Sequence, residues 1–150
     1  MRKSQRQNAL RGHFFGGKNA HEVLETEILV ALSRRPYVVL WRNETGAVPL
    51  YKKNSDGSLV LDAQDKPVVE RYIHYGKVGS GDLSGIVTVS RGEWQLGVRL
   101  EIEVKTGAGR QSDDQKNFEQ MILSRGGLYL VARDLQTTCD AVDNFAGWNV

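Results

Sequence analysis

Apolar and polar positions change period several times along this chain, and each change marks an element. From His21 to Ser33 the apolar residues Leu24, Ile28, Ala31 and Leu32 recur at helical spacing, and Pro36 prevents the helix from continuing. Tyr37 to Arg42 is β-branched and aromatic, which predicts a strand. Asn43 to Gly46 reads as a turn and opens a less regular stretch that runs to about Tyr75. Within it, Asn54-Ser55-Asp56-Gly57-Ser58 predicts a tight hairpin between Leu50-Tyr51-Lys52 and Leu59-Val60-Leu61. The stretch from about 47 to 75 therefore reads as an exposed β-hairpin inserted into the core, with Lys52 and Lys53 on a solvated or nucleic-acid-facing edge.

Ser84 to Ser90 and Gly97 to Val104 are rich in Ile, Val and Leu, as expected of central strands, with Ser90-Arg91-Gly92-Glu93 as the turn between them. Helical spacing returns at Phe118, Met121, Ile122 and Arg125, in a helix from Ser112 to Arg125 that Gly126-Gly127 ends. Leu128 to Arg133 is a short apolar strand. The closing segment, Leu135 to Trp148, reads as a helix that starts near Thr137 and runs through Cys139, Val142 and Phe145. The order is helix, strand, insertion, strand, strand, helix, strand, helix. A helix separates the strand ending at Val104 from the one beginning at Leu128, so these two are expected to lie parallel, joined by a crossover. The fold class is α/β: a mixed central sheet flanked by helices, with an inserted β-hairpin.

Composition narrows the setting. A length of 150 residues suits one domain with a substantial core, and 40% apolar with 25% charged residues is the balance of a soluble globular protein. No stretch is long and apolar enough to span a membrane, and the N-terminus lacks the apolar run of a secretory signal, so the expected location is the cytoplasm. The single cysteine, Cys139, excludes an internal disulfide and a cysteine-cluster zinc site, and is expected on the buried side of its helix. Net charge is only +2, but residues 1–20 hold Arg2, Lys3, Arg6, Arg11 and Lys18 and no acid. This basic arm reads either as a source of phosphate contacts or as a solvated terminus, ahead of a domain spanning 21–150.

The candidate chemistry lies between Gly79 and Lys105. Asp82 stands at the start of the first central strand, and Glu103-Val104-Lys105 ends the second, one hairpin's length later. Strand residues two apart share a face, so Glu103 and Lys105 project together. Hard divalent cations such as Mg²⁺ and Mn²⁺ take carboxylate and carbonyl oxygens, and an adjacent ammonium suits a charged phosphoryl group. Asp82 and Glu103 are accordingly the candidate metal ligands, and phosphodiester hydrolysis the reaction that fits. A plainer reading of Glu101, Glu103 and Lys105 is a row of cross-strand charges on a solvated sheet face. Asp82 also lies in the Gly79-Ser80-Gly81 stretch, where backbone has room to approach a ligand.

The run EVKTGAGRQSDDQKNFEQMILSRGGLYLVARD, preceded by YGKVGSGDLSGIV, resembles the VRR-NUC domain, the virus-type replication-repair nuclease branch of the PD-(D/E)xK nucleases. The resemblance covers about the last half of the chain closely and the first helix more loosely. It rests on features arriving in order: Gly-Ser-x-Asp before a strand, Glu-x-Lys ending the next, a Gly-Arg-x-Ser stretch, a Gln-Lys pair opening a helix, and Gly-Gly before an apolar strand. It implies a restriction-endonuclease-like fold and Mg²⁺- or Mn²⁺-dependent cleavage of DNA. Asp82, Glu103 and the backbone carbonyl of Val104 would then hold metal, with Lys105 beside the attacking water in an electrostatic role. The family also places a glutamate on its first helix. Glu22, Glu25 and Glu27 are the candidates here, and Glu25, three before Ile28 and seven before Leu32, shares the inward edge. Gln115 matches the glutamine the family sets beside its metal, although Ser112-Asp113-Asp114-Gln115 also spells a capping box. Arg110 and Lys116 read as phosphate contacts or as ordinary exposed cations. One departure is Gly81, where the family often carries proline; glycine would loosen the approach to Asp82.

The expected function is therefore a metal-dependent DNA endonuclease, structure-selective for branched, flapped or four-way junction DNA. Replication, repair or phage DNA processing would be its setting, in a bacterial or phage-infected cell, and a homodimer would match a symmetric substrate. The alternative is a non-catalytic nucleic-acid-binding module on the same fold. No stacking platform argues for RNA, and Trp41, Trp94 and Trp148 read equally as core residues.

Overall fold

The computed structural model describes residues 19–147, so the basic arm before Asn19 and Trp148 lie outside the described residues. The elements are α1 (Ala20–Ser33), β1 (Val38–Arg42), β2 (Gly46–Tyr51), β3 (Val69–Tyr75), β4 (Leu83–Arg91), β5 (Trp94–Val104), α2 (Asp113–Leu123), β6 (Leu128–Ala132) and α3 (Leu135–Ala146). Four strands form a mixed sheet in the order β1-β4-β5-β6. β4 runs antiparallel to both β1 and β5, and β6 lies parallel to β5 as the intervening helix requires. Gly92, at φ +60, opens the two-residue turn that joins β4 to β5.

Both faces of the sheet are covered where β5 ends. On one face, Leu100, Ile102 and Val104 join Leu83, Val87 and Ala132 in a core that α1 closes with Ile28 and Leu32 and α3 with Cys139 and Val142. On the other face, Tyr129 packs with Phe118 and Ile122 of α2, the Phe118 and Tyr129 rings meeting edge to face at 6.4 Å. Thus Leu100 to Val104 is buried at every position, whereas the earlier part of β5 is largely exposed. The C-terminal end of α1 is tied to α3 by Arg35, whose guanidinium donates to both oxygens of Asp143 at 2.8 Å, while the Tyr37 hydroxyl donates to the same carboxylate at 2.6 Å.

Two elements depart from the sequence reading. The turn at Asn54–Ser58 forms, with Asn54 N–H bonded to the Ser58 carbonyl at 2.8 Å, but the main partner of β2 is β3, in a separate two-stranded antiparallel sheet. A second turn brings the chain back: Asp62 Oδ1 accepts from the Gln64 and Lys66 amides at 2.8 and 2.9 Å, an Asx turn that the Asp62-to-Pro67 lettering already contained. This excursion leaves Tyr72, Ile73 and Tyr75 exposed. The last helix begins at Leu135 rather than near Thr137, because the Asp134 side chain caps it by accepting from Thr137 N–H at 2.8 Å. No helix among the described residues is long and apolar enough to cross a membrane.

Candidate active site

Asp82 is delivered by a loop that is fixed from three sides. Asn43, just beyond β1, donates through Nδ2 to the Ser80 hydroxyl at 2.7 Å and to the Gly81 carbonyl at 3.0 Å, and its amide donates to the Asp82 carbonyl at 2.8 Å. Gly79 lies against the first turn of α2, where a Cβ would fall 2.3 Å from the Asp114 carbonyl oxygen. Gly81 lies against β5, where a Cβ would fall 2.7 Å from the Ile102 carbonyl oxygen. These glycines let the loop backbone pack closely against α2 and β5 on its way to Asp82. The result is that Asp82 Oδ2 accepts from the Val104 N–H at 2.7 Å, which joins the start of β4 to the end of β5.

Glu103 projects from β5 toward the α2 side and is only 2% exposed. Its Oε1 meets Lys105 Nζ at 2.7 Å and accepts from Gln115 Nε2 at 2.6 Å. Its Oε2 is buried without any hydrogen-bond partner. Burial pushes this carboxyl above the ordinary glutamate range, Asp82 pushes the same way, and Lys105 and Gln115 oppose them. The plainer reading, a solvated charge row on the sheet, is excluded for Glu101 and Glu103 because α2 covers that face. Gln115 forms the capping box and also reaches the sheet: its Oε1 accepts from Ser112 N–H at 2.9 Å while its amide nitrogen donates to Glu103.

Of the three glutamates on α1, Glu25 is the buried one. Glu22 is spent in the N-terminal capping box with Asn19, and Glu27 is exposed. Glu25 Oε1 is 2.5 Å from Arg42 Nη1, and Arg42 also donates to the Thr26 hydroxyl at 2.8 Å. Glu22, Glu25, Arg42, Asn43, Glu44 and Asp82 line a cleft of about 410 Å³. Arg110 and Lys116 are both exposed, the latter beside Asp113 at 3.2 Å. The loop between β5 and α2 is strapped by Arg133, which donates to the Gly107 and Gly109 carbonyls at 3.3 and 2.9 Å.

Several participants escaped the sequence reading. His21 stands on α1 with Nε2 3.3 Å from Asp82 Oδ2 and Nδ1 3.9 Å from Glu25 Oε2; its spacing of four from Glu25 was the available signal. Glu101, fully buried, accepts from the Ser84 hydroxyl at 3.0 Å, from Gly81 N–H at 3.3 Å and from Arg99 Nε at 2.7 Å. It thereby anchors the loop that carries Asp82. Trp41 and Trp94 lie outside the core, 42% and 75% exposed, with the Arg99 guanidinium 5.9 Å from the Trp41 ring centre.

Each carboxylate is held by a donor of its own chain: Glu25 by Arg42, Asp82 by Val104, Glu103 by Lys105 and Gln115. Accordingly, no group of three or more His, Cys, Asp or Glu side chains among the described residues converges on a metal position. The donor chemistry nonetheless suits a hard cation, with carboxylate oxygens from Asp82, just before β4, and from Glu103 of β5, whose Oε2 is buried and unpartnered. Compared with models of protein families, with curated proteins and with solved structures, the chain has no match.

Proposed function

We propose that the chain is a Mg²⁺- or Mn²⁺-dependent DNA endonuclease of the VRR-NUC type, with a restriction-endonuclease-like core. The observation that carries this reading is Glu103: a buried carboxylate with Lys105 and Gln115 on one oxygen and no partner on the other, in the strand whose last amide binds Asp82. Buried carboxylate oxygens as a rule find a hydrogen-bond partner, so the unpartnered Oε2 is the atom that a bound cation would satisfy.

Asp82, Glu103 and the Val104 carbonyl would hold the cation. When bound there, a divalent ion supplies Lewis acidity toward water and a phosphodiester oxygen. Lys105, 2.7 Å from Glu103, presents an ammonium beside the reacting phosphate and orients the attacking water by hydrogen bonding. Gln115 fixes the rotamer of Glu103. Arg42 holds Glu25 at the edge of the acidic cleft and adds a cation for a phosphate oxygen. Arg110 and Lys116, exposed on the loop and on α2, contact the DNA backbone without reading sequence. The described residues carry no helix-turn-helix arrangement for base reading, which favours recognition of branched or flapped DNA, by a homodimer in replication, repair or phage DNA processing.

The engagement of every carboxylate by a local donor favours a second reading, a nucleic-acid-binding module that does not cut. Cleavage of a labelled panel (single strand, duplex, flap, splayed arm, four-way junction) with Mg²⁺, Mn²⁺ or EDTA, for wild type and Asp82→Ala, separates the two. Metal-dependent cutting lost in Asp82→Ala supports the nuclease. Binding without cutting supports the module, and full activity in Asp82→Ala removes the assignment.

A further inference from the structure

His21 has no role in the site as proposed, yet it meets Asp82 at Oδ2, the oxygen that also accepts from the Val104 N–H. Its Nε2 lies 3.3 Å from Asp82 Oδ2 and its Nδ1 3.9 Å from Glu25 Oε2. Among the described residues neither ring nitrogen takes part in a hydrogen bond, and the side chain is 37% exposed. Two atoms that ligate one six-coordinate ion at about 2.1 Å and at right angles stand about 3 Å apart, which is the spacing of His21 Nε2 and Asp82 Oδ2. A ligating histidine ordinarily turns its other nitrogen to a carboxylate, which fixes the ring and raises its basicity. Glu25, one helical turn on and itself clamped by Arg42, lies 3.9 Å from Nδ1 and would have to close that distance to serve as that carboxylate.

We infer that His21 Nε2 is a nitrogen ligand to the divalent cation at Asp82, with Glu25 as the carboxylate that orients the ring through Nδ1. The inference rests on the cation site of the proposed function. Glu25 then serves through His21 and not as a direct ligand, which is consistent with its 2.5 Å contact to Arg42. Imidazole is a softer donor than carboxylate or water, so a site containing it prefers Mn²⁺ to Mg²⁺ more strongly than an all-oxygen site does.

The test is binding, not turnover. Mn²⁺ is titrated into the full chain and followed by the free-ion EPR signal, bound Mn²⁺ is examined by pulsed EPR for ¹⁴N coupling, and Mg²⁺ binding is measured by calorimetry, for wild type, His21→Gln and Asp82→Asn. Circular dichroism verifies the fold of each variant. The expected result is ¹⁴N coupling in wild type that disappears in His21→Gln, with Mn²⁺ affinity down about ten-fold or more and Mg²⁺ affinity changed by less than about threefold. Bound Mn²⁺ without ¹⁴N coupling, or coupling that persists in His21→Gln, overturns the assignment of His21 while leaving the Asp82 site standing. Mn²⁺ affinity unchanged in Asp82→Asn overturns the cation site itself.

Discussion

Gln115 donates through Nε2 to Glu103 Oε1 at 2.6 Å while its own Oε1 accepts from the Ser112 N–H at 2.9 Å, so one side chain closes the N-terminus of α2 and holds a carboxylate of the site. The two duties separate by substitution. Ser112→Ala removes the cap alone and is expected to cost about 1 kcal/mol of stability with cleavage unchanged. Gln115→Ala removes both contacts and is expected to lower cleavage a further ten-fold or so by freeing Glu103. Thermal melts and kcat/KM for the two variants side by side check this; equal cleavage in both would reduce Gln115 to a cap residue.

Gly81 is expected to tolerate no side chain. A Cβ there meets the Ile102 carbonyl oxygen at 2.7 Å, and both groups are backbone, so the loop must move. Gly81→Ala should cost about 1–3 kcal/mol in urea unfolding and should weaken cleavage by displacing Asp82. Gly81→Pro also deletes the N–H that reaches Glu101 and should be worse. Wild-type stability and rate in Gly81→Ala would show that the loop is not held where the geometry puts it.

Arg99 supplies the positive charge for the buried Glu101. Arg99→Met leaves that carboxylate without its cation, and because Arg99 is half exposed and partly screened, a loss of about 2 kcal/mol is expected. The double variant Arg99→Met with Glu101→Gln keeps acceptors for Ser84 and Gly81 and should recover most of the loss. A double-mutant cycle by denaturant unfolding measures the coupling, and additive single effects would contradict the pairing.

Acid should loosen the contact between α1 and α3. Hydrogen bonding from Arg35, joined by Tyr37, holds the Asp143 carboxyl below the ordinary aspartate range against an opposing effect of burial. A lowered folded-state pKa gives stability that is complete above the unfolded value and is lost as pH falls through the folded one. Asp143→Asn is therefore expected to be less stable than wild type by about 2 kcal/mol at pH 7, with the gap closing well below pH 4. Urea midpoints of the two proteins between pH 2 and 7 check both the sign and the window.

Outside the excursion from about 47 to 75, the sequence by itself determined the elements, their order and their type, because caps, turns and hydrophobic periods are local. Ser112 and Gln115 spell a cap within four residues, and Leu24, Ile28 and Leu32 mark an inward helix edge within three turns. It also put Glu103 and Lys105 on one side of a strand and Glu25 on the buried edge of α1, since those statements follow from periods of two and 3.6. Tertiary structure alone decided what surrounds them. Whether the Glu101 and Glu103 face was solvated depended on α2 folding over it, and α2 is a separate element whose docking no local pattern encodes. The same holds for β3 as the partner of β2, chosen by a long return of the chain, and for Trp41 and Trp94, whose exposure depends on which sheet face stays open. His21, Arg42 and Asp82 come from a helix, a strand end and a loop, and they meet only because Gly79 and Gly81 let that loop press against α2 and β5.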